Sequence, residues 1–190
     1  MMRILIILGA VLPLLGGCDE EPVADVPRPQ ALTREAVGYY CNMIVADHEG
    51  PKGQIFLTDR DDPLWFTSVR DTLAFTMLPG EPKNIAAAYV NDTGQASWPV
   101  SVPGDWIDAR SAWYVIGGDV VGGMGAPEAV AFARRADAEA FVKKHGGAVM
   151  AFADIPEDAI LASGDDPEAG AGNHEMDDSK MTMPMTKSAP

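Results

Sequence analysis

Residues 112–153, AWYVIGGDVVGGMGAPEAVAFARRADAEAFVKKHGGAVMAFA, carry the punctuation that decides the fold. The aromatic and β-branched run AWYVI at 112–116 reads as a strand, and the glycine-rich stretch 117–125 that follows reads as a turn. A second short apolar run, AVAFA at 129–133, is the next strand. RADAEAFVKKH at 135–145 is the clearest helix in the chain. Its apolar face is predicted to carry Ala136, Ala140 and Phe141, and Gly146-Gly147 supplies the stop. The run 149–153 is the returning strand. The order is strand, strand, helix, strand.

The same order is readable upstream. Residues 39–46 (YYCNMIVA) form a strand-like run, and 54–58 (QIFLT) a second one beyond the turn residues His48-Glu49-Gly50-Pro51. Asp61-Asp62-Pro63 has the chemistry of a helix start, aspartate at the cap and proline just inside, so a helix is predicted over 64–77, ended by Pro79-Gly80. IAAAYV at 85–90 closes the unit. The expected fold class is α+β: two similar ββαβ units with helices packed on mixed or antiparallel sheet. The segment around Trp98 and Trp106 lies between the halves and carries no decisive signal.

The N-terminus reads as a lipoprotein signal. Arg3 supplies a positive n-region, and 4–15 is an apolar run too short to span a bilayer. Gly16-Gly17 then stands directly before Cys18, the expected site of lipidation, so 1–17 is read as the signal peptide. Lipid there would anchor the chain to the periplasmic face of a membrane, and Asp19 after the lipidated position favours the inner one. Residues 18–36 are acidic and proline-rich, a tether in composition; 37–160 carries enough aliphatic and aromatic residues for one domain. The segment 161–190 is rich in Gly, Asp and Met, has no aromatic residue, and is expected to be disordered.

Fourteen Lys and Arg face 28 Asp and Glu, a net charge of −14. That balance excludes a nucleic-acid binder, which needs a basic footprint, and leaves membrane attachment to the lipid.

With Cys18 committed to lipid, Cys41 has no disulfide partner, yet it faces an oxidising compartment. Met43 follows two residues later; on a strand both side chains would project to one side. Thiolate and thioether sulfurs favour Cu(I). Set against this, cysteine and methionine are also ordinary core fillers. His48 in the next turn and Met124 between glycines (Gly122-Gly123-Met124-Gly125) are the candidates for a third ligand. The C-terminal segment adds His174, Met176, Met181, Met183 and Met185, a Met-x-Met-x-Met tract with histidine nearby.

Three blocks carry a resemblance to a known family. They are Tyr40-Cys41-Asn42-Met43-Ile44-Val45-Ala46-Asp47-His48-Glu49-Gly50-Pro51-Lys52-Gly53-Gln54-Ile55, then Gly122-Gly123-Met124-Gly125-Ala126-Pro127-Glu128-Ala129-Val130-Ala131-Phe132, then Ala138-Glu139-Ala140-Phe141 with His145-Gly146-Gly147. With the lipidation signal, they resemble the nitrous oxide reductase accessory lipoproteins, NosL. The family usually has glycine where Asn42 stands and proline where Glu49 and Ala131 stand. The resemblance implies a membrane-anchored chaperone that binds Cu(I) and delivers it for the catalytic copper centre of nitrous oxide reductase. It also implies a partnership with the ABC-type membrane complex of the same system and a fold of two ββαβ units.

Two rival readings stand beside it. The family's fold resembles that of organomercurial lyase, but such chemistry needs at least two protein thiols with a carboxylate, and the mature chain offers one. Zinc chemistry lacks paired ligand spacing, because His48, His145 and His174 are scattered. The expectation is therefore not an enzyme. The other rival is a metal-free, lipid-tethered interaction module in which Cys41 is merely buried.

Overall fold

The computed structural model describes residues 26–94, 98 and 105–162. Cys18 and the methionine-rich C-terminal segment lie outside the described residues. No helix of the described residues is long and apolar enough to cross a membrane.

Two antiparallel sheets carry the fold. The first contains β1 (Gly53–Leu57), β2 (Leu64–Phe66), β3 (Ile85–Asn91) and β4 (Trp106–Asp108), in the order β2-β1-β3-β4. Helix α1 (Val69–Met77) connects β2 to β3. The second contains β5 (Trp113–Gly118), β6 (Val130–Phe132) and β7 (Gly146–Ala151), in the order β6-β5-β7, with α2 (Arg135–His145) between β6 and β7. Both units run strand, strand, helix, strand with the first strand central. The duplication expected from the sequence is therefore present, and β4 is an addition to the first unit.

Strand alternation explains how the core is shared. Ile55, Leu57, Leu64, Phe66, Ala88 and Val90 of the first sheet and Tyr114, Ile116 and Ala131 of the second belong to one buried cluster, with Ala129 just before β6 and Val69, Leu73 and Phe75 of α1. The opposite face of the second sheet, Val115, Val130 and Phe132, packs with Ala138 and with the half-buried Phe141 and Val142 of α2. A short helix, α3 (Glu157–Leu161), lies against α1.

Four local expectations are corrected. The run 39–46 is not a strand. It is a tight loop with single bridges at its base (Val37 to Ile44) and a 3-10 turn, Val45–Asp47. Leu64–Phe66 is a strand rather than a first helical turn; the helix begins after Ser68, whose Oγ accepts the Asp71 amide at 3.0 Å. Asp61-Asp62-Pro63 had the right cap chemistry, but it serves the β1–β2 turn. On α2 the inward face is Ala138, Phe141 and Val142, whereas Ala136 and Ala140 are exposed. The helix bounds and its stop were read correctly, with Gly146 and Gly147 both at positive φ (68° and 85°).

Residues 26–36, expected as part of a tether, are laid along the first sheet. The Gln54 side chain accepts the Gln30 amide at 2.9 Å and donates to its carbonyl at 3.0 Å, and Tyr89 donates to Pro27 O at 2.7 Å. An amide side chain with both a donor and an acceptor serves an extended chain as a neighbouring strand would.

Candidate metal centre

The loop holding Cys41 is closed by its own backbone. Gly38 N donates to Met43 O at 2.8 Å, and Asn42 N donates to Gly38 O at 2.9 Å. Asn42 takes φ 54°, the left-handed conformation that asparagine tolerates better than most residues. The loop is pinned to the core by aromatics. Tyr39 packs on Phe66 and Phe75, with ring centroids 5.9 and 5.5 Å away, and Tyr40 packs on Phe66 at 5.7 Å. Both phenols donate to the Glu81 carboxylate, at 3.1 and 2.9 Å. The Glu81 hydrogen bond holds the Tyr39 hydroxyl above its usual range, while burial does so first for Tyr40.

Cys41 itself is a free, half-buried thiol. Its Sγ lies 3.9 Å from Thr67 Oγ1, a weak contact of the kind sulfur makes. Met43 is 40% exposed, which rules out a core-filler role for it. The two sulfur residues therefore share one short loop, although by turn geometry rather than by strand alternation.

Met124 sits in the β5–β6 connection, whose counterpart in the first unit is the β1–β2 turn, not the turn after Met43. Space achieves what the repeat does not. A Cβ at Gly123 would meet Glu49 O at 2.5 Å, so the glycine turn lies flat on the segment following His48. Met124, 45% exposed, shares a small hollow with Ser68, Arg70, Asp71, Gly122 and Glu128. Cys41 rests on Thr67 and Met124 borders Ser68. Two consecutive residues just before α1 thus border the Cys41 loop on one side and the Met124 turn on the other. His48 is half-buried, directly after the 3-10 turn, and its own hydrogen bond is from its amide to Val45 O at 3.3 Å.

Two buried charged residues underlie this end. Lys52 is 1% exposed and donates to Glu49 O at 2.9 Å and Thr67 O at 3.3 Å; burial lowers its pKa to about 8, opposed by Glu128 and Glu49. Glu128 accepts the Arg70 and Ala129 amides on Oε1, each at 3.0 Å, and burial pushes it up to about 8. Its Oε2 is buried without a hydrogen-bond partner among the described residues. Sequence reasoning missed Gly38, Thr67, Lys52, Glu81 and Glu128 as the frame of the site. Lys52 and Glu128 stood inside the quoted blocks, and a lysine amid Pro-Lys-Gly at a strand entry was the available signal.

Among the described residues no three His, Cys, Asp or Glu side chains gather as a metal cage. The soft donors among the described residues here are the thiol of Cys41 and the thioethers of Met43 and Met124, and donors of that kind favour a soft monovalent ion over zinc.

Fold and site define a duplicated α+β protein that presents cysteine and methionine sulfurs on loops at one end. The NosL family model matches residues 29–160. The chain is 44% identical over 169 residues to the copper-binding lipoprotein NosL of Achromobacter cycloclastes, covering 86% of this chain and 87% of that protein. It is 34% identical over 161 residues to the protein of the same description from Stutzerimonas stutzeri, covering 84% and 83%. The crystal structure of the copper chaperone NosL from Shewanella denitrificans is similar in fold, with a TM-score of 0.62 and 30% identity over 67% of this chain and 95% of that one. The chain belongs to the NosL family.

Proposed function

We propose that this protein is a lipid-anchored Cu(I) carrier on the periplasmic face of the inner membrane. It delivers copper for the catalytic centre of nitrous oxide reductase, together with the ABC-type membrane complex of that system. The observation that carries the reading is the 38–43 loop: a half-buried free thiol, Cys41, with an exposed thioether, Met43, on the same closed turn. Relatives described as copper-binding lipoproteins, and a structural relative described as a copper chaperone, support a carrier rather than an enzyme. Cys41 is the only free thiol among the described residues, which also argues against two-thiol chemistry.

A carrier must hold its cargo and yield it. Cys41 supplies the one anionic donor, whose charge offsets that of Cu(I), and methionines supply neutral, exchangeable donors. Because thiolate is the ligand, loading displaces the thiol proton. Cys18, carrying lipid, would keep the site near membrane partners.

Anaerobic Cu(I) titration against a competing chelator tests the binding step. Cys41→Ser should abolish tight binding, and Met43→Leu should weaken it with the fold retained. Unchanged affinity in both variants rejects the site. Transfer from the loaded protein to copper-free nitrous oxide reductase, with the ABC-type complex present, tests delivery; failure to transfer there rejects the destination but not the carrier.

A further inference from the structure

We infer, on the basis of the Cu(I) reading above, that Lys52 is the positioning residue of this centre: its buried ammonium holds Glu49 O and Thr67 O together and so fixes the seat of the Met124 turn relative to the seat of the Cys41 loop.

Lys52 is an unusual occupant of a core. It is 1% exposed, one of the largest side chains that the fold buries completely. Among the described residues no carboxylate forms an ion pair with it. A buried cation without a partner charge is destabilising, and an apolar side chain of similar volume would fill the same space at lower cost. Its Nζ meets two backbone carbonyls instead, Glu49 O at 2.9 Å and Thr67 O at 3.3 Å. An ammonium carries three donors on one atom, so it can gather acceptors from separate segments as no apolar residue can.

The backbone of Lys52 is fixed as firmly as its head. Lys52 N donates to Asn91 Oδ1 at 2.8 Å, and Asn91 N donates to Lys52 O at 3.0 Å. Lys52 stands one residue before β1 and is tied to the last residue of β3. The nitrogen therefore projects from the most rigid part of the first sheet.

Each carbonyl it holds belongs to a segment that touches one of the two sulfur-bearing loops. Thr67 is the floor of the Cys41 loop: its Oγ1 is 3.9 Å from Cys41 Sγ, and its Cγ2 stands 3.4 Å from where a Gly38 Cβ would be. Glu49 is the seat of the other: a Cβ at Gly123 would stand 2.5 Å from Glu49 O and 3.0 Å from Glu49 N. The same Glu49 oxygen thus receives the ammonium and lies under the residue before Met124. Both seats are spaced by one nitrogen atom. Removing an outer contact that places a metal ligand typically weakens metal binding by about ten- to a hundredfold.

The test is anaerobic Cu(I) titration of the full processed protein, with bicinchoninate as competitor. It compares wild type, Lys52→Leu, Met124→Leu, the double variant and Cys41→Ser. Leucine at position 52 brings neither a donor nor a new sulfur. Lys52→Leu should bind Cu(I) about tenfold more weakly. Met124→Leu should lose about as much, and the double variant no more than either alone, because both changes act through one sulfur. X-ray absorption of copper-loaded, folded Lys52→Leu should show one sulfur neighbour fewer, although every sulfur donor remains in the chain. A residue that served stability alone would lower the unfolding midpoint and leave that sulfur shell intact. Lys52→Gln keeps a polar head on a stem too short to span both carbonyls; should the leucine variant not fold, this one decides by the same criteria. Wild-type affinity at position 52 variants overturns the inference, and so does an additive fall in the double variant. Wild-type affinity in Met124→Leu overturns it as well, since the turn would then carry no ligand to place. Wild-type affinity in Cys41→Ser would instead reject the Cys41 reading itself, whatever Lys52 does.

Discussion

Gly38 leaves the space that the Cys41 thiol fills: a Cβ at position 38 would stand 2.5 Å from Sγ and 3.4 Å from Thr67 Cγ2. The thiol is thus held between a missing side chain and a hydroxyl, without occupying any metal-ligand geometry of its own making. Gly38→Ala should push the sulfur off Thr67 while leaving all candidate ligands intact. We expect Cu(I) affinity to fall by about tenfold, about 1.4 kcal/mol, with thiol alkylation of the metal-free form accelerated. Chelator competition and alkylation kinetics check it; wild-type values in both would mean the loop accommodates the methyl group elsewhere.

The neighbouring residue gives a backbone test. Asn42 at φ 54° occupies the position where the family usually has glycine. Asn42→Gly should leave thermal stability within a few tenths of a kcal/mol, since glycine accepts this conformation but loosens the unfolded chain. Asn42→Val should cost about 1–2 kcal/mol, because a β-branched residue resists positive φ. Equal denaturation midpoints for the valine variant and wild type would sink the argument.

These two residues also explain what was and was not legible in the sequence. Strand, helix and stop signals placed every element of the second unit and the bounds of α2. The returning strand, read at 149–153, is Gly146–Ala151, because Gly146-Gly147 both stop the helix and open β7, and β5 runs on through Gly118 into the stretch read as a turn. The first unit misled at 39–46, where Tyr39, Tyr40, Ile44 and Val45 have strand composition. Those aromatics instead anchor a loop on Phe66 and Phe75, a tertiary use that local propensity does not encode. Leu64 and Trp65 were assigned to the helix because Asp-Asp-Pro mimics a cap, whereas the true cap is Ser68. The sulfur residues were readable by chemistry alone. Their common location was not, because it depends on Gly123 lying against Glu49 and on Thr67 and Ser68 facing different loops.

The buried carboxyl of Glu128 makes stability depend on pH in a defined direction. Its folded pKa, about 8, lies above the ordinary value of 4.5. Between those values the folded state holds a proton that the unfolded state has lost, so stability falls as pH rises through that window. Glu128→Gln keeps an oxygen for the Arg70 and Ala129 amides and cannot ionise. Its thermal midpoint should decline less than that of wild type between pH 4.5 and 8. Parallel pH profiles for the two proteins would show that the carboxyl is already ionised in the fold.

The identity of the third Cu(I) ligand within the folded part separates Met124 from His48, and we favour Met124. Met124 is exposed beside Ser68, next in sequence to the Thr67 that touches Cys41. Its glycine neighbours allow the turn to lie on Glu49, and a partly solvated methionine contributes little to packing. His48 belongs to the very segment on which that turn rests, so it stands as the rival donor or as a group that orients the site. X-ray absorption distinguishes the two because sulfur and nitrogen scatter differently and at different bond lengths. In the Cu(I) form, Met124→Leu should lose a sulfur neighbour and weaken binding, while His48→Ala should keep the sulfur shell unchanged. Loss of a nitrogen neighbour in His48→Ala, with Met124→Leu indistinguishable from wild type, would hand the position to the histidine. Leucine fits the same exposed position at similar volume, so a change in Met124→Leu reports the sulfur atom and not the fold.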